Sequence, residues 1–301
     1  MEPAGVGDAG SRTARPVTVV LVHWNQPERL ETAIAAFQRS TVPVELIVAD
    51  SASEPEAQRA LEALGRSPSI EVVQAGSNRG FGPTANVGLR HWLTERTGEW
   101  VALAPHDALA EPSTLERLLA AAAVRPGAGL VSADVGDGAS PVVDRYFGGM
   151  TRPRAVDAGW ESVDYPHGTL MLLRRSFLED VGLFDERYSS YCEEADLGLR
   201  AADAGYEVGL VRGAQVRNPH LSSRIWAVDY LQSRNTLLLV RDHFGRYPAL
   251  IRLLMLVYET AAAVVAPHRR PAVFDARARW QAVADHLRGR YGPPPESLAR
   301  R

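Results

Sequence analysis

Residues 17–49 read VTVVLVHWNQPERLETAIAAFQRSTVPVELIVA, and the fold follows from them. The opening run, VTVVLVH, is β-branched and apolar and is bounded by Pro16 and the polar Asn25-Gln26-Pro27, which suits a strand buried on both faces of a parallel sheet. Over 27–39 the apolar Leu30, Ala33, Ile34 and Phe37 recur at helical spacing, and VELIVA at 44–49 is a second buried run. Strand, helix and parallel strand make a βαβ unit.

The alternation continues downstream. Residues 54–64 predict a second helix and 70–74 a third strand, and a helix around 83–94 leads to a fourth strand at 99–103. That order predicts an α/β fold with a doubly wound, mostly parallel sheet of the Rossmann-like, nucleotide-binding kind. Such sheets bind ligands beyond the carboxyl ends of their strands, so the loops after Val22, Ala49, Gln74 and Leu103 should converge on one crevice. Strand one runs into His23-Trp24-Asn25-Gln26, with neither a dinucleotide fingerprint nor a P-loop behind it. Dehydrogenases and P-loop enzymes fit poorly, as does a nucleotidyltransferase, which needs a basic, glycine-rich phosphate loop at that place.

Later segments are less regular. Residues 135–164 are glycine-rich and weakly periodic, which predicts a loop-dominated stretch with one or two edge strands. Helical patterning returns at 175–181 and at 195–204, the latter ending at Gly205 as a C-cap would, and 206–211 and 214–217 read as short strands. The expected division is a disordered leader (1–15), a domain (16–240) with its donor half at about 16–110 and its acceptor half at about 111–240, and a helical C-terminal extension (241–301). The most apolar stretch, 249–267, is broken by Arg252 and Glu259 and reads as a helix packed on the domain in preference to a membrane-surface helix.

Composition narrows the function classes. Of 301 residues, 46% are hydrophobic and 23% charged, the balance of a folded globular protein. A net charge of −3 gives no global field for a nucleic-acid backbone, so any phosphate must be recognised locally. Cys192 is the single cysteine, which excludes an internal disulfide framework and a multi-cysteine zinc site. The Ala, Arg and Gly bias points to a GC-rich bacterial source.

Three clusters carry candidate chemistry. Asp50, followed by Ser51, ends the second strand, where its carboxylate would accept from a base or ribose or else cap a helix. His106-Asp107 ends the fourth, placing an imidazole beside a carboxylate where phosphate-bound Mg²⁺ or Mn²⁺ needs only one or two protein ligands, though the same pair also makes a plain turn. Glu193, Glu194 and Asp196 crowd the start of a helix, where the dipole stabilises them and their mutual repulsion raises at least one pKa, as a general base requires.

Taken in order, these pieces resemble the family 2 glycosyltransferases over about residues 17–240. The most specific stretch is 168–220, from GTLMLLRRSFLEDVGLFDERYSSYCEEADLGLRAADAGY to NPH, similar to the family's acceptor-side motif and ED-containing helix. Asn78-Arg79-Gly80-Phe81-Gly82 with Asn86 and Gly88 is similar to its donor-side N-x-G-F segment, and Tyr230 with Arg234-Asn235 looks like its rhamnosyltransferase-like branch, which commonly uses dTDP-linked deoxysugars.

The resemblance implies a GT-A fold and an inverting transfer of sugar from a nucleotide-diphosphate donor, dTDP-rhamnose or another dTDP- or UDP-sugar, to a hydroxyl of a glycan or natural-product acceptor. By position it implies Glu194 as base with Glu193 as rival, and donor contacts from His23, Asn25, Asp50, Ser51, Asn78, Gly80, Phe81, Asn86, His106 and Asp107. It further implies a divalent metal, Mg or Mn, on Asp107 and His220, and an acceptor side formed by Trp160, Tyr165, His167, Gly168, Asp196, Arg234 and Asn235. Trp160 and Tyr165 would equally pack a loop. Two departures stand out: the metal motif reads Pro105-His106-Asp107 with one carboxylate, and the base is Glu where the family commonly has Asp. The expected location is cytoplasmic, at the inner face of a membrane, with peripheral membrane contact and a homodimer both compatible and no nucleic-acid partner. A non-catalytic sugar-nucleotide or glycan-binding protein is the alternative from another class.

Overall fold

The computed structural model describes residues 16–219 and 224–299; the leader expected at 1–15 and the metal ligand expected at His220 lie outside them. The first half runs β1 (Val17–His23), α1 (Pro27–Gln38), β2 (Val44–Asp50), α2 (Pro55–Leu64), β3 (Ile70–Gln74), α3 (Phe81–Glu95) and β4 (Trp100–Pro105). β1 pairs in parallel with both β2 and β4, and β2 with β3. Alternate β1 residues serve opposite faces, as strand geometry requires: Val19 and Leu21 pack with Leu30, Ile34 and Phe37 of α1, while Val20 and Val22 pack with Ala85, Leu89 and Trp92 of α3. Gly88 permits that second layer, since a Cβ there would sit 2.5 Å from Val20 Cγ1.

The second half adds β5 (Leu109–Ala110), α4 (Thr114–Ala123), β6 (Ala128–Asp134), β7 (Ala139–Asp144), β8 (Gly148–Pro153), β9 (Gly159–Ser162), β10 (Met171–Arg174), α5 (Arg175–Val181), α6 (Glu193–Asp203) and β11 (Glu207–Arg217). The large sheet is ordered β3-β2-β1-β4-β10-β6-β11-β5, with β9 beside β11 and the β7–β8 hairpin separate. β10 is antiparallel to both β4 and β6, so the sheet is mostly parallel and mixed at its centre.

Several expectations are revised. α4, β6 and β10 had no forecast: AGLVSAD carries small residues in place of a β-branched run, and MLLR is only four residues long. The two short strands at 206–217 are one strand, interrupted in its pairing between Val211 and Gln215, where Gly213 adopts φ +86°. The irregular 135–164 segment holds three strands.

Four helices close the described chain, α7 (Ile225–Phe244), α8 (Arg246–Val265), α9 (Ala276–Leu287) and the short α10 (Glu296–Ala299), with a 3-10 turn at Pro267–Arg269. α7 crosses the boundary expected at 240. α8 does pack on the domain, through Ala249, Leu256, Thr260 and Ala263, but Tyr247, Leu250, Leu254, Tyr258 and Val265 on its other side are exposed. The expected packing on the domain is thus made by the inner face, and the outer face lies uncovered.

Candidate active site

The loops after β1, β2, β3 and β4 converge as the topology requires, on a cleft of ≈ 890 Å³. Its walls carry His23, Ser51, Asn78, Gly80, Phe81, His106 and Asp107 from the donor-side half, and Tyr191, Glu193 and Glu194 from the loop and helix α6 opposite. Two further cavities, of ≈ 420 and ≈ 560 Å³, open from the other flank, and both are lined by His167, Gly168, Tyr191 and Glu194. Glu194 therefore stands where this cleft meets both.

The two glutamates differ in setting. Glu193 is buried at 2% exposure, with its Cγ 3.7 Å from the Cβ position of Gly82 and its Oε2 without a hydrogen-bond donor. Burial first, and then the neighbouring charge of Glu194, push its carboxyl well above the usual carboxylate range. Glu194 is half-buried and is also raised by burial, a shift that its own backbone N–H counters in part. Both carboxyls are therefore raised, Glu193 the more strongly. The Glu194 carboxylate lies over Gly168, where an added Cβ would fall 2.0 Å from Oε1.

The loop that delivers these residues is strained. Ser189, Tyr191 and Cys192 have φ of 67°, 69° and 71°, a left-handed conformation costing about 1–2 kcal/mol for each non-glycine residue. Asn235 of α7 holds it there, its Nδ2 donating at 2.8 Å to the carbonyls of Tyr188, Ser190 and Tyr191. Arg234, fully buried, donates to Asn235 Oδ1 and to Tyr230 OH. The same loop grips the donor side: Phe81 N–H donates to Ser190 Oγ and Gly82 N–H to the Ser189 carbonyl. Gly80, at φ +102°, has no room for a side chain against Ser189.

On the donor side, Asn78 Oδ1 accepts from Ser51 Oγ and from the Gly80 amide, shaping the turn into α3. His106 donates through Nδ1 to the Val22 carbonyl, leaving Nε2 buried and without a partner on the cleft wall. Its pKa is lowered by burial and by the nearby His23 and Arg29, against the opposing pull of Asp107, so the imidazole is neutral and Nε2 carries a lone pair. Asp107 accepts from Asn218 Nδ2 at 3.1 Å. Among the described residues no group of three or more His, Cys, Asp or Glu forms a metal cage. One carboxylate with one lone-pair imidazole does suit a cation whose remaining ligands are phosphate oxygens.

Other expected site residues lie elsewhere. Asp50 is not at the rim: with no exposed surface it accepts from His23 Nδ1, Ser53 Oγ and the Ser53 amide, bonds that outweigh burial and lower its pKa. His23 receives the Gln26 amide on Nε2, so its ring is committed on both nitrogens. Asn25 braces the same loops by accepting the Glu54 amide. Asn86 is buried against Phe184 and Glu186. Asp196 faces away and binds Arg200 and His243. Trp160 stacks on Arg125 at 4.6 Å on the far face of the sheet. Arg234 and Asn235 hold the loop and do not line the acceptor cavities.

Tyr165 and His167 line the cavities on the other flank. Tyr165 donates to the Met150 carbonyl and lines the 560 Å³ cavity, and His167 Nδ1 meets Thr169 at 3.1 Å. Burial lowers the His167 pKa against the pull of Asp137 and Asp134. Trp24, Tyr191 and Gln232 line the donor cleft without having been expected, as do Val273, Pro293 and Pro294 from the C-terminal segment. Tyr191 adjoins the carboxylate cluster and was within reach of the motif; the prolines carry no sequence signal that would place them there.

Comparison with known proteins agrees with this geometry. Residues 14–236 match the family described as glycosyltransferase like family 2. The N-acetylglucosaminyl-diphospho-decaprenol L-rhamnosyltransferase of Mycobacterium tuberculosis is 29% identical over 230 residues, 66% of this chain and 74% of that protein. The low-salt glycan biosynthesis hexosyltransferase Agl10 of Haloferax volcanii is 22% identical over 203 residues, 64% of each chain. Among solved structures, the mannosyltransferase PcManGT from Pyrobaculum calidifontis, in complex with GDP-Man and Mn²⁺, superposes with a TM-score of 0.60 at 19% identity, covering 91% of this chain and 88% of its own. S. aureus TarS 1–349 with UDP-GlcNAc gives a TM-score of 0.57 at 14% identity, covering 94% and 83%. With its GT-A fold and a family match across most of its length, the chain belongs to glycosyltransferase family 2 and moves a sugar from a nucleotide donor.

Proposed function

We propose that the chain transfers a deoxyhexose, L-rhamnose from a dTDP- or UDP-linked donor, to a hydroxyl of a sugar carried on a lipid diphosphate, with inversion at the anomeric carbon. The observation that carries this reading is Glu194 at the meeting point of the donor cleft and the two acceptor-side cavities, with the more strongly raised carboxyl of Glu193 beside it. The mycobacterial relative supports the choice of rhamnose and of a polyprenyl-linked acceptor, and such an acceptor puts the work at the cytoplasmic face of a membrane.

The acceptor enters over Gly168 and His167, and its hydroxyl meets the Glu194 carboxylate. Glu194 takes the hydroxyl proton as the acceptor oxygen bonds to the anomeric carbon and the bond to the donor diphosphate breaks. Glu193, whose carboxyl burial raises the more strongly, stands beside Glu194 on the first turn of α6. Asp107, with His106 through Nε2, would hold a divalent cation, Mg or Mn, against the donor phosphates. When bound, that ion supplies charge neutralisation for the departing diphosphate. Tyr191 and the Asn78–Gly80 turn wall the donor between the two halves of the site.

The test is a pair of isosteric variants. Glu194→Gln is expected to lower kcat by about 10²–10⁴-fold with donor affinity near normal, while Glu193→Gln changes kcat less than about tenfold. The reverse ranking would make Glu193 the base. Undiminished turnover in both would leave a site without a glutamate base.

A further inference from the structure

The outer face of α8 is apolar along its whole length. Tyr247, Leu250, Leu254, Tyr258, Ala261 and Val265 fall at helical spacing on one stripe, and all are exposed. Leu254 is 60%, Tyr258 69% and Val265 84% exposed, side chains that a helix buried in a domain would cover. The two charges beyond the helix's first residue, Arg246, lie off this stripe: Arg252 pairs with Glu259 at 3.6 Å, and both line the 560 Å³ cavity that begins at Glu194. Leu256, Thr260 and Ala263 fasten the inner face to the rest of the protein.

The nearest charges beyond each end of the stripe are cationic, and Asp242, one turn before the helix, is held by Arg187 and Arg241. Arg246 precedes it, and Arg269 and Arg270 follow it; all three are exposed, Arg270 with its Nε on the Ala263 carbonyl and its guanidinium over Phe274, on a chain whose net charge is −3. An apolar body with two tyrosines on it, bounded by cations at both ends, is complementary to a bilayer surface with anionic headgroups. A second copy of the chain would bring arginines against arginines at like ends in a parallel pairing and leave them unneutralised in an antiparallel one. The helix is long and apolar enough to cross a membrane by length and composition, but its inner face and its Arg252–Glu259 pair are held by the domain.

We infer that α8 is a lipid-surface helix, lying in the interface of an anionic membrane with the Tyr247–Val265 stripe immersed and the arginines at the headgroups. The 560 Å³ cavity runs from Glu194 to the inner face of this helix, so docking there brings the acceptor flank of the site to the lipid surface. The surface is independent of which sugar or acceptor is used.

The full chain is tested by co-sedimentation with vesicles of phosphatidylcholine alone and of phosphatidylcholine mixed with phosphatidylglycerol, neither containing donor nor acceptor. Binding is expected to favour the mixed vesicles by about fivefold for each arginine engaged and to weaken with salt. Leu250→Asp/Leu254→Asp/Tyr258→Asp is expected to lose vesicle binding by about tenfold or more, with an unchanged melting temperature because these positions are exposed. Arg246→Glu/Arg269→Glu, which leaves the stripe intact, is expected to lose the preference for the mixed vesicles. The inference is overturned if the parent chain stays in the supernatant, or if the triple variant sediments as the parent does. A parent chain that is dimeric without lipid and becomes monomeric in the triple variant would also overturn it, by assigning the stripe to a second copy.

Discussion

Glu193 and Glu194 are adjacent in sequence and carry the same side chain, yet one faces the start of α3 and the other the open junction of three cavities. Burial raises both pKa values, that of the more deeply enclosed Glu193 more strongly. The sign of the pH effect follows. Between the ordinary carboxylate pKa and the raised one the folded chain binds more protons than the unfolded chain, so the contribution of Glu193 to stability falls as pH rises through that window. Glu193→Gln is therefore expected to match the parent's melting temperature near about pH 4 and exceed it at about pH 8, and a pH-independent difference in calorimetry would contradict the assignment. Gly168 belongs to the same argument: a methyl there would fall 2.0 Å from Glu194 Oε1 and displace the carboxylate. Gly168→Ala is expected to cut kcat by about a hundredfold, with donor KM little changed, because Gly168 lines the acceptor cavities and not the donor cleft. The cluster EEAD was legible as candidate chemistry; which carboxylate is free to act was not, since that depends on Gly82 and Gly168, far away in the chain.

At the scale of elements, the site is two loops tied to each other and pinned from behind by α7. The left-handed residues at 189–192 persist because Asn235 binds three of the carbonyls around them. Asn235→Ala is expected to lower stability by about 2–3 kcal/mol in denaturant titration, at roughly 1 kcal/mol per hydrogen bond, and to lower kcat as well because α6 begins where that loop ends. Loss of stability with full turnover would show that the loop geometry does not matter to catalysis. The motif Arg234-Asn235 was visible in sequence, but its reading as an acceptor contact missed that both side chains point into the protein. The β1–α1–β2–α2–β3 run was legible almost to the residue because its periodicities are clean. β6 and β10 were not, because the small residues of β6 and the four-residue length of β10 give no period to read.

Across the whole molecule, the donor cleft is completed by residues far apart in the chain, His106 and Asp107 on one wall and Val273, Pro293 and Pro294 on another. A ligand that needs all of them stabilises the folded state alone. A nucleoside diphosphate with Mn²⁺ is expected to raise the melting temperature of the parent by several degrees, and Asp107→Asn to lose the Mn²⁺-dependent part of that rise; an equal shift with and without metal in both proteins would remove Asp107 from the metal site. α8 belongs to this scale too, since sequence alone favoured a packed helix and the assembled protein leaves its outer face uncovered. By itself the sequence determined the parallel βαβ half of the sheet, the crevice at its strand ends and the family, because these rest on local periodicity and on residues consecutive in the chain. Only the tertiary structure decided that Asp50 is buried, that Asn235 is a brace, that Glu194 is the open carboxylate and that half of α8 faces outward. Those properties depend on which distant groups close around a side chain, and so on its desolvation and its partners.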